Sequence, residues 1–369
     1  MSTTRKPSVS VVVPMYNVEG TLDQCLESIE SQTLRDLQII CMNDGSTDRS
    51  GTIARRHAAR DPRITVVDKP NEGYGATCNK GIALADGEWV AIVEPDDYLD
   101  PTMYEKLYAV ACAVNDENAS TEPQVDVVKC AYWRVLPNAK KPASCPYVGR
   151  VKPRTQPFAV GDGIELMLHH PAIWAAMYRR GFLAERGIRF REVPGSGWTD
   201  NPFMVQTLCG ARGLAYVDEP LYYYREHDLN DAEALAAKSP LIPLTRWNEM
   251  MDEAEKLGVA NERVLDALAL RGVNYALITS SAFEKTALPQ DVRELIDCSM
   301  ARIDPARVWG LAALSPSAKS FFAQARGIEA PKNDALARAG YLAKEAAYRL
   351  RTNGLGFVAE NLKSRLNRL

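Results

Sequence analysis

The 369-residue sequence has no long hydrophobic run, which excludes a protein that crosses the membrane with helices. No stretch approaches the ~20 consecutive apolar residues that a membrane-spanning helix requires. Residues 1–8 lead directly into a strand pattern and contain no apolar core of a signal peptide. We therefore expect a cytoplasmic protein.

Strong charge and paired cysteines are missing as well. The formal net charge is −3, so the chain as a whole has no basic surface of the kind that binds nucleic acid, and we expect no nucleic-acid partner. Its 8 cysteines include no CxxC pair and no histidine spacing typical of zinc sites. They are interpreted as reduced core thiols, which agrees with a cytoplasmic location.

Glycine-rich phosphate-binding loops are also absent. The first predicted strand continues into Pro14-Met15-Tyr16-Asn17, and the stretch beginning Gly73-Tyr74-Gly75 lacks the third glycine of a dinucleotide fingerprint. There is no Walker-type Gly-Lys-Ser sequence, and no basic glycine-rich loop like those of sugar nucleotidyltransferases. Phosphates would therefore have to be held by a metal ion, and a nucleotidyltransferase is the less favoured alternative.

The first hundred residues alternate between strand and helix patterns. Strands are predicted at 8–13, 37–42, 64–68 and 89–93, with one helix between each pair. Strands joined by single helices need crossover connections and are therefore parallel. The sequence predicts an α/β fold with a doubly wound, mostly parallel sheet flanked by helices.

Three carboxylates follow the last of these strands, in the stretch Trp89–Pro101. Glu94, Asp96 and Asp97 are so close that their charges repel unless a cation compensates them. Mg²⁺ and Mn²⁺ bind one or two carboxylates together with substrate phosphates, at the edge where parallel strands end. We predict such a metal site here; the alternative is a solvated loop.

Four motifs in order resemble one known family. Val11-Val12-Val13-Pro14-Met15-Tyr16-Asn17, Asn43-Asp44-Gly45-Ser46-Thr47-Asp48, Asn71-Glu72-Gly73 and Glu94-Pro95-Asp96-Asp97 are similar to those of glycosyltransferase family 2, which has the GT-A fold. The resemblance implies an inverting transfer of a sugar from a nucleoside diphosphate, usually uridine diphosphate (UDP), to an acceptor hydroxyl. A hexose or N-acetylhexosamine donor and a bacterial surface-glycan acceptor, either free or lipid-linked, are the expected substrates.

The same resemblance assigns roles to individual residues. Asp44 would contact the uracil and Asp96 would bind the metal, with Asp97 and His227 as further ligands and Arg225 near the diphosphate. Glu94 departs from the family, in which many members have Asp at this position. The residues expected to bind the nucleotide are Pro14, Tyr16, Glu19, Asp44, Gly75, Asn79, Lys80, Glu94 and Asp96.

Asp200 is the candidate catalytic base. It follows a glycine-rich loop and precedes an apolar helix, so a helix cap is the structural alternative. The family often has a Glu-Asp pair at this point, and here Thr199 takes the place of the Glu. Asp200 is expected to accept the proton of the acceptor hydroxyl.

The chain is predicted to form two domains. Residues 1–230 would form the catalytic domain, with a nucleotide-binding half (1–100) and an acceptor half (101–230), and 231–369 a helical region. Its basic amphipathic tail, 338–369, suits a membrane surface at the inner face of the cell membrane, a partner protein, or packing on its own domain. Homo-oligomerisation and a catalytically inert, glycan-binding or scaffolding role stay open.

Overall fold

The structure, a computed structural model, describes residues 6–117, 124–137, 139–195, 197–226, 239–283 and 287–330. His227 and the tail at 338–369 lie outside these residues, so their predicted roles stay predictions. Two compact units are formed, the first by residues 1–229 with 249–264 and the second by 230–248 with 265–369. The predicted domain boundary at residue 230 also stays a prediction.

The first unit is built on a mixed sheet whose order is β3-β2-β1-β4-β8-β6-β9-β5, with β7 paired to β6. Its first half is parallel, as the alternating pattern predicts, because β1 pairs with both β2 and β4 and β2 pairs with β3. These strands are β1 (Val9–Met15), β2 (Leu37–Asp44), β3 (Ile64–Lys69) and β4 (Trp89–Ile92).

Helices connect these strands, and their apolar residues face the sheet. The helices are α1 (Leu22–Glu30), α2 (Ser50–Ala58) and α3 (Tyr74–Ala83). In α1, Leu22, Cys25, Leu26 and Ile29 are buried, which is the spacing of one helix face. Since β1, β2 and β4 are parallel, their carboxyl ends meet at one edge of the sheet.

The second half of the sheet is largely antiparallel. Strand β8 pairs antiparallel with both β4 and β6, and β5 pairs antiparallel with β9, while β6 and β9 run parallel. The strands here are β5 (Tyr98–Leu99), β6 (Val127–Val135), β7 (Ala143–Ser144), β8 (Ala176–Arg179) and β9 (Leu214–Arg225). The helices are α4 (Met103–Glu117), α5 (Glu165–Leu168), α6 (Arg180–Glu185) and α7 (Asp200–Gly210), with a 3-10 turn at Val160–Gly163.

One strand begins later than its sequence suggests. Residues 172–178 are rich in apolar side chains, but β8 starts only at Ala176. Ala172 has a φ of 41°, a left-handed conformation that a strand does not accommodate. Its carbonyl oxygen accepts a hydrogen bond from the buried Lys129 Nζ at 2.6 Å. An apolar run alone does not reveal this turn.

The chain after residue 239 is helical where it is described, as the sequence predicts. Helices α8 (Ile242–Lys256) and α9 (Glu262–Ser281) are followed by α10 (Gln290–Ala301), α11 (Pro305–Gly310) and α12 (Pro316–Arg326). Asp304 and Ser315 cap α11 and α12, each with proline following in the first turn. Among the described residues, no helix is long and apolar enough to cross a membrane.

Candidate active site

The loops that follow β1 and β2 are joined by hydrogen bonds. Asn17 has a φ of 54°, and its Oδ1 accepts a hydrogen bond from the Thr47 backbone N–H at 2.8 Å. The backbone N–H of Val18 donates to Ser50 Oγ at 2.9 Å. Two loops from neighbouring parallel strands are therefore held together at the edge where a ligand is expected.

The residues of β1 and its loop that are predicted to bind the nucleotide differ in exposure and in their contacts. Pro14 is buried within β1, whereas Tyr16 is 51% exposed. The carboxylate of Glu19 accepts a hydrogen bond from the Arg49 backbone N–H at 3.0 Å, at the start of α2. Tyr16 thus presents an accessible ring, while Glu19 also orders the neighbouring loop.

Asp44 is buried at the end of β2 and is surrounded by donors. Its Oδ2 accepts from the Gly73 backbone N–H at 3.0 Å, and its Oδ1 accepts from the Glu72 N–H at 2.9 Å and from Lys69 Nζ. These three donors fix the orientation of the carboxylate. These bonds link β2 to the loop that opens α3.

The start of α3 packs closely against residues 190–195. A Cβ on Gly75 would lie 2.0 Å from the Arg191 carbonyl oxygen, so no larger residue fits without moving backbone. Asn79 uses both ends of its amide on this segment: its Oδ1 accepts from the Phe190 N–H at 2.9 Å and its Nδ2 donates to the Phe190 carbonyl at 3.0 Å. Gly75 and Asn79 therefore have structural contacts that the sequence does not reveal.

Lys80 lies further along α3 and is exposed. Its ammonium group pairs with Glu72, which also accepts from Lys69 at 3.0 Å. Nucleotide contacts by Gly75, Asn79 and Lys80 stay predictions, and Lys80 is the one whose side chain is accessible to a ligand.

Asp96 and Asp200 both lie within electrostatic reach of Glu94, which follows β4. Burial, followed by the charges of Asp96 and then Asp200, raises the pKa of Glu94 to about 8, although Tyr74 donates a hydrogen bond to its carboxylate. Burial is the main cause that raises the pKa of Tyr74 above its usual range, and the charge of Asp200 adds to the shift. The predicted base and the predicted metal-binding stretch therefore share one electrostatic environment, although more than a hundred residues separate them.

Asp97 is buried and is held from β9. Its Oδ2 accepts a hydrogen bond from the Tyr222 hydroxyl at 2.8 Å, and its Oδ1 accepts from the Arg225 backbone N–H at 2.7 Å. Burial and the neighbouring Asp96 raise its pKa well above the usual range, although both hydrogen bonds oppose the shift. Metal coordination by Asp97 stays a prediction, and in this structure the side chain anchors the loop.

Arg225 lies over the same loop. Its guanidinium group is 5.1 Å from the centre of the Tyr98 ring and donates hydrogen bonds to the Asp96 carbonyl oxygen and to Gln24. The positive charge is thus placed beside the carboxylates, where a diphosphate is expected.

A divalent cation fits the chemistry of these carboxylates. The described residues contain no preformed group of three metal-binding side chains. However, Mg²⁺ and Mn²⁺ usually take only one or two carboxylates and complete their shell with phosphate and water. Burial, and then the charge of Asp96, raises the pKa of Glu94, and a cation beside Asp96 would offset the second of these causes.

Asp200 is the first residue of α7. Thr199 occupies the N-cap position in a helical conformation, and its side chain makes no capping hydrogen bond. Asp200 Oδ1 accepts a hydrogen bond from Asn201 Nδ2 at 3.1 Å. Asp200 is therefore not the N-cap residue that the sequence suggests as the alternative role.

Two tyrosines form hydrogen bonds to these acidic residues, and the sequence alone gives no sign of this role. Tyr74 contacts Glu94, and Tyr222 contacts Asp97 and accepts a hydrogen bond from the Glu94 N–H at 3.2 Å. Tyr222 belongs to a run of three tyrosines whose pattern suggests ordinary packing. The ring of Trp174 stacks on that of Tyr222 with centroids 4.2 Å apart, so this tryptophan belongs to the core.

Comparison with known proteins agrees with this geometry. Residues 10–184 match the model of the family described as Glycosyl transferase family 2. These residues form a glycosyltransferase family 2 domain. The match ends before Asp200 and β9, so it covers the predicted donor side and not the predicted base.

Two bacterial relatives and one solved structure extend the comparison. The chain is 34% identical over 233 residues to the uncharacterized glycosyltransferase EpsJ of Bacillus subtilis, and 31% identical over 232 residues to YibD of Escherichia coli. These alignments cover 60% and 62% of this chain but only 62% and 63% of the relatives. TarS 1–349 of S. aureus, in complex with UDP-GlcNAc, superposes with a TM-score of 0.67 at 18% identity, covering 94% of this chain and 92% of that one. This likeness confirms the predicted GT-A fold.

Proposed function

We propose that this protein is an inverting, metal-dependent glycosyltransferase that moves a hexose or N-acetylhexosamine from a UDP-sugar to a hydroxyl group of a glycan acceptor. The observation that supports the proposal is that Glu94, at the carboxyl edge of the sheet, lies within electrostatic reach of both Asp96 and Asp200. A role in cell-surface polysaccharide synthesis, at the cytoplasmic face of the membrane and with an acceptor carried on a lipid, is part of the same proposal.

The donor nucleotide would bind across the loops after β1 and β2. Tyr16 offers an exposed ring there, and Asp44 offers a fixed carboxylate that can accept a further hydrogen bond from a base N–H. Uridine is supported by the TarS complex, which contains UDP-GlcNAc in the same fold. Arg225 is the cation placed to contact the diphosphate.

Asp96 would hold the metal ion, with Glu94 beside it. When bound, a divalent cation neutralises negative charge on a departing nucleoside diphosphate. Tyr222 and the Arg225 backbone hold the neighbouring Asp97 and so keep this loop in place.

Asp200 would remove the proton from the attacking hydroxyl. A single displacement on the face of the sugar opposite the leaving group inverts the configuration at the anomeric carbon. The base must then lie on the acceptor side, and Asp200 comes from the acceptor half of the domain while remaining close enough to influence Glu94.

The proposal is tested with a panel of sugar nucleotides, assayed for hydrolysis and transfer with Mg²⁺, Mn²⁺ or EDTA. We expect a UDP-sugar to be consumed only with metal, and Asp96→Ala to abolish the metal-enhanced binding of UDP. Asp86→Ala, which removes an exposed carboxylate, is the matched control. Equal UDP binding by the two variants with and without EDTA would overturn the metal assignment, and inactivity on every donor would favour the inert, scaffolding alternative.

A further inference from the structure

A polar cavity lies in the first unit, outside the candidate active site. Its volume is about 730 Å³, which exceeds the space that a single small ion needs. Four of its lining side chains are cationic and one is acidic. The cations are Arg150, Lys152, Arg154 and Arg263, and the acid is Asp162.

This cavity lies at the opposite end of β9 from the carboxylates. Phe158, in its wall, pairs with Leu214, the first residue of β9, whereas Arg225, the last, contacts the loop of Asp96. Because a strand rises ~3.3 Å per residue, the 12 residues of β9 separate its two ends by roughly 35 Å. A ligand in the cavity therefore does not share the donor diphosphate site.

Two of the four cations are held in place by the protein. Arg150 donates a hydrogen bond to Glu165 at 2.9 Å, and Arg263 donates to the Gly161 carbonyl oxygen at 2.8 Å. Each guanidinium group has five N–H donors, so these contacts orient the group and leave donors for a ligand.

The other two cations, Lys152 and Arg154, are exposed at the cavity. Within the part of the chain that the structure describes, neither side chain has a hydrogen bond or an ion pair to a protein group. Glu165 balances Arg150 and Asp162 balances one further charge, so the cavity keeps an excess of positive charge.

The wall of the cavity is anchored to the sheet. The Phe158 N–H donates to the Leu214 carbonyl at 3.0 Å, and Leu214 returns the bond at 2.9 Å. Gln156 makes two hydrogen bonds to the backbone of Tyr216, at 2.8 and 3.1 Å. The cations between Arg150 and Phe158 are therefore carried on a segment with fixed ends, as a binding site requires.

We propose that this cavity binds the phosphate group of a ligand other than the donor nucleotide, most suitably a phosphodiester. Arginine forks match phosphate oxygens with paired hydrogen bonds, and lysine adds a point charge. The volume leaves room for the groups on both sides of a phosphodiester. The proposal rests on the cavity alone and does not depend on the proposed glycosyl transfer.

The test measures binding of inorganic phosphate to the full chain by calorimetry, with EDTA present and no nucleotide, so that the donor site is not loaded through metal. We expect Lys152→Ala/Arg154→Ala to weaken binding roughly tenfold, because two charge-assisted contacts are lost. Lys140→Ala/Lys141→Ala removes two exposed charges elsewhere and should change the affinity less than about twofold. Equal weakening by both pairs, or no phosphate binding by the unmodified chain, would overturn the proposal.

A second arm identifies the source of the phosphate. Vesicles of phosphatidylcholine with and without phosphatidylglycerol are sedimented with each variant. The site is assigned to a lipid headgroup if anionic vesicles retain the protein and inorganic phosphate abolishes this retention. Only the Lys152→Ala/Arg154→Ala variant should then fail to be retained. Phosphate binding in calorimetry without such retention assigns it to a soluble phosphate ester.

Discussion

The Tyr222 hydroxyl donates a hydrogen bond of 2.8 Å to Asp97 Oδ2 across 125 residues of sequence. The same hydroxyl accepts a bond from the Glu94 N–H at 3.2 Å. One phenol at the end of β9 thus connects to both sides of Asp96. The loop that would bind the metal is positioned from the acceptor half of the domain.

Replacing Tyr222 by Phe should reduce both stability and transfer. The change leaves the buried Asp97 without one of its two donors, which is expected to cost about 2 kcal/mol in the free energy of unfolding. Transfer should fall about tenfold, because the Asp96 loop loses a fixed contact. Urea unfolding and steady-state kinetics measure the two effects.

Tyr224→Phe is the matched control for that change. It removes one hydroxyl from the same strand and keeps the ring, which stacks on Trp174 with centroids 5.0 Å apart. We expect almost unchanged kinetics in this variant. If Tyr222→Phe and Tyr224→Phe behaved alike, the contact with Asp97 would not position the site.

Glu94 should make stability depend on pH in the absence of metal. Its pKa is about 8 in the folded protein, compared with an ordinary value of 4.5, so the folded state keeps a proton that the unfolded chain has released. The free energy of unfolding should therefore fall as pH rises through this interval. Urea titrations at a series of pH values with EDTA present measure the slope.

Glu94→Gln should make this slope shallower, since the amide has no proton to lose. Some slope should persist, because the pKa of Asp97 is raised as well. Glu27→Gln alters an exposed glutamate of α1 and serves as the control. A slope in Glu94→Gln as steep as that of Glu27→Gln would contradict the assignment.

Gly75→Ala should damage both the fold and the site. The added methyl group would lie 2.0 Å from the Arg191 carbonyl oxygen, and backbone must move to admit it. We expect a loss of about 3 kcal/mol in the free energy of unfolding. At Gly20 an added Cβ meets nothing within 4 Å, so Gly20→Ala should be nearly silent. Thermal unfolding of the pair distinguishes a steric requirement from a general preference for glycine.

The parallel half of the fold was predictable because its information is local. Each strand from β1 to β4 is an apolar run, and each connection has a helical period and turn residues close by in sequence. The carboxylates of 94–97 follow directly from that pattern. The family resemblance, carried by four local motifs, supplied the identity of the fold.

The remaining contacts depend on residues distant in sequence. Asn79 is bonded to Phe190 across 111 residues, and a single sequence gives no sign of that pairing. Tyr222 looks like its neighbours Tyr223 and Tyr224, and only the tertiary structure shows which hydroxyl meets Asp97. Roles at His227 and in the tail lie outside the described residues and stay predictions.

Asp200→Asn separates a base from a structural role at the start of α7. Asn has nearly the shape of Asp, so the fold should lose at most about 1 kcal/mol from the helix dipole. Asn accepts no proton at neutral pH, so transfer should fall ~100-fold or more if Asp200 is the base. Binding of UDP should hardly change, because Asp44 and Asp96 are untouched. Calorimetry with UDP beside a transfer assay measures both quantities, and full transfer by the variant would move the base to Glu192, which accepts a hydrogen bond from Asn79 at 3.0 Å, or to Asp228, outside the described residues.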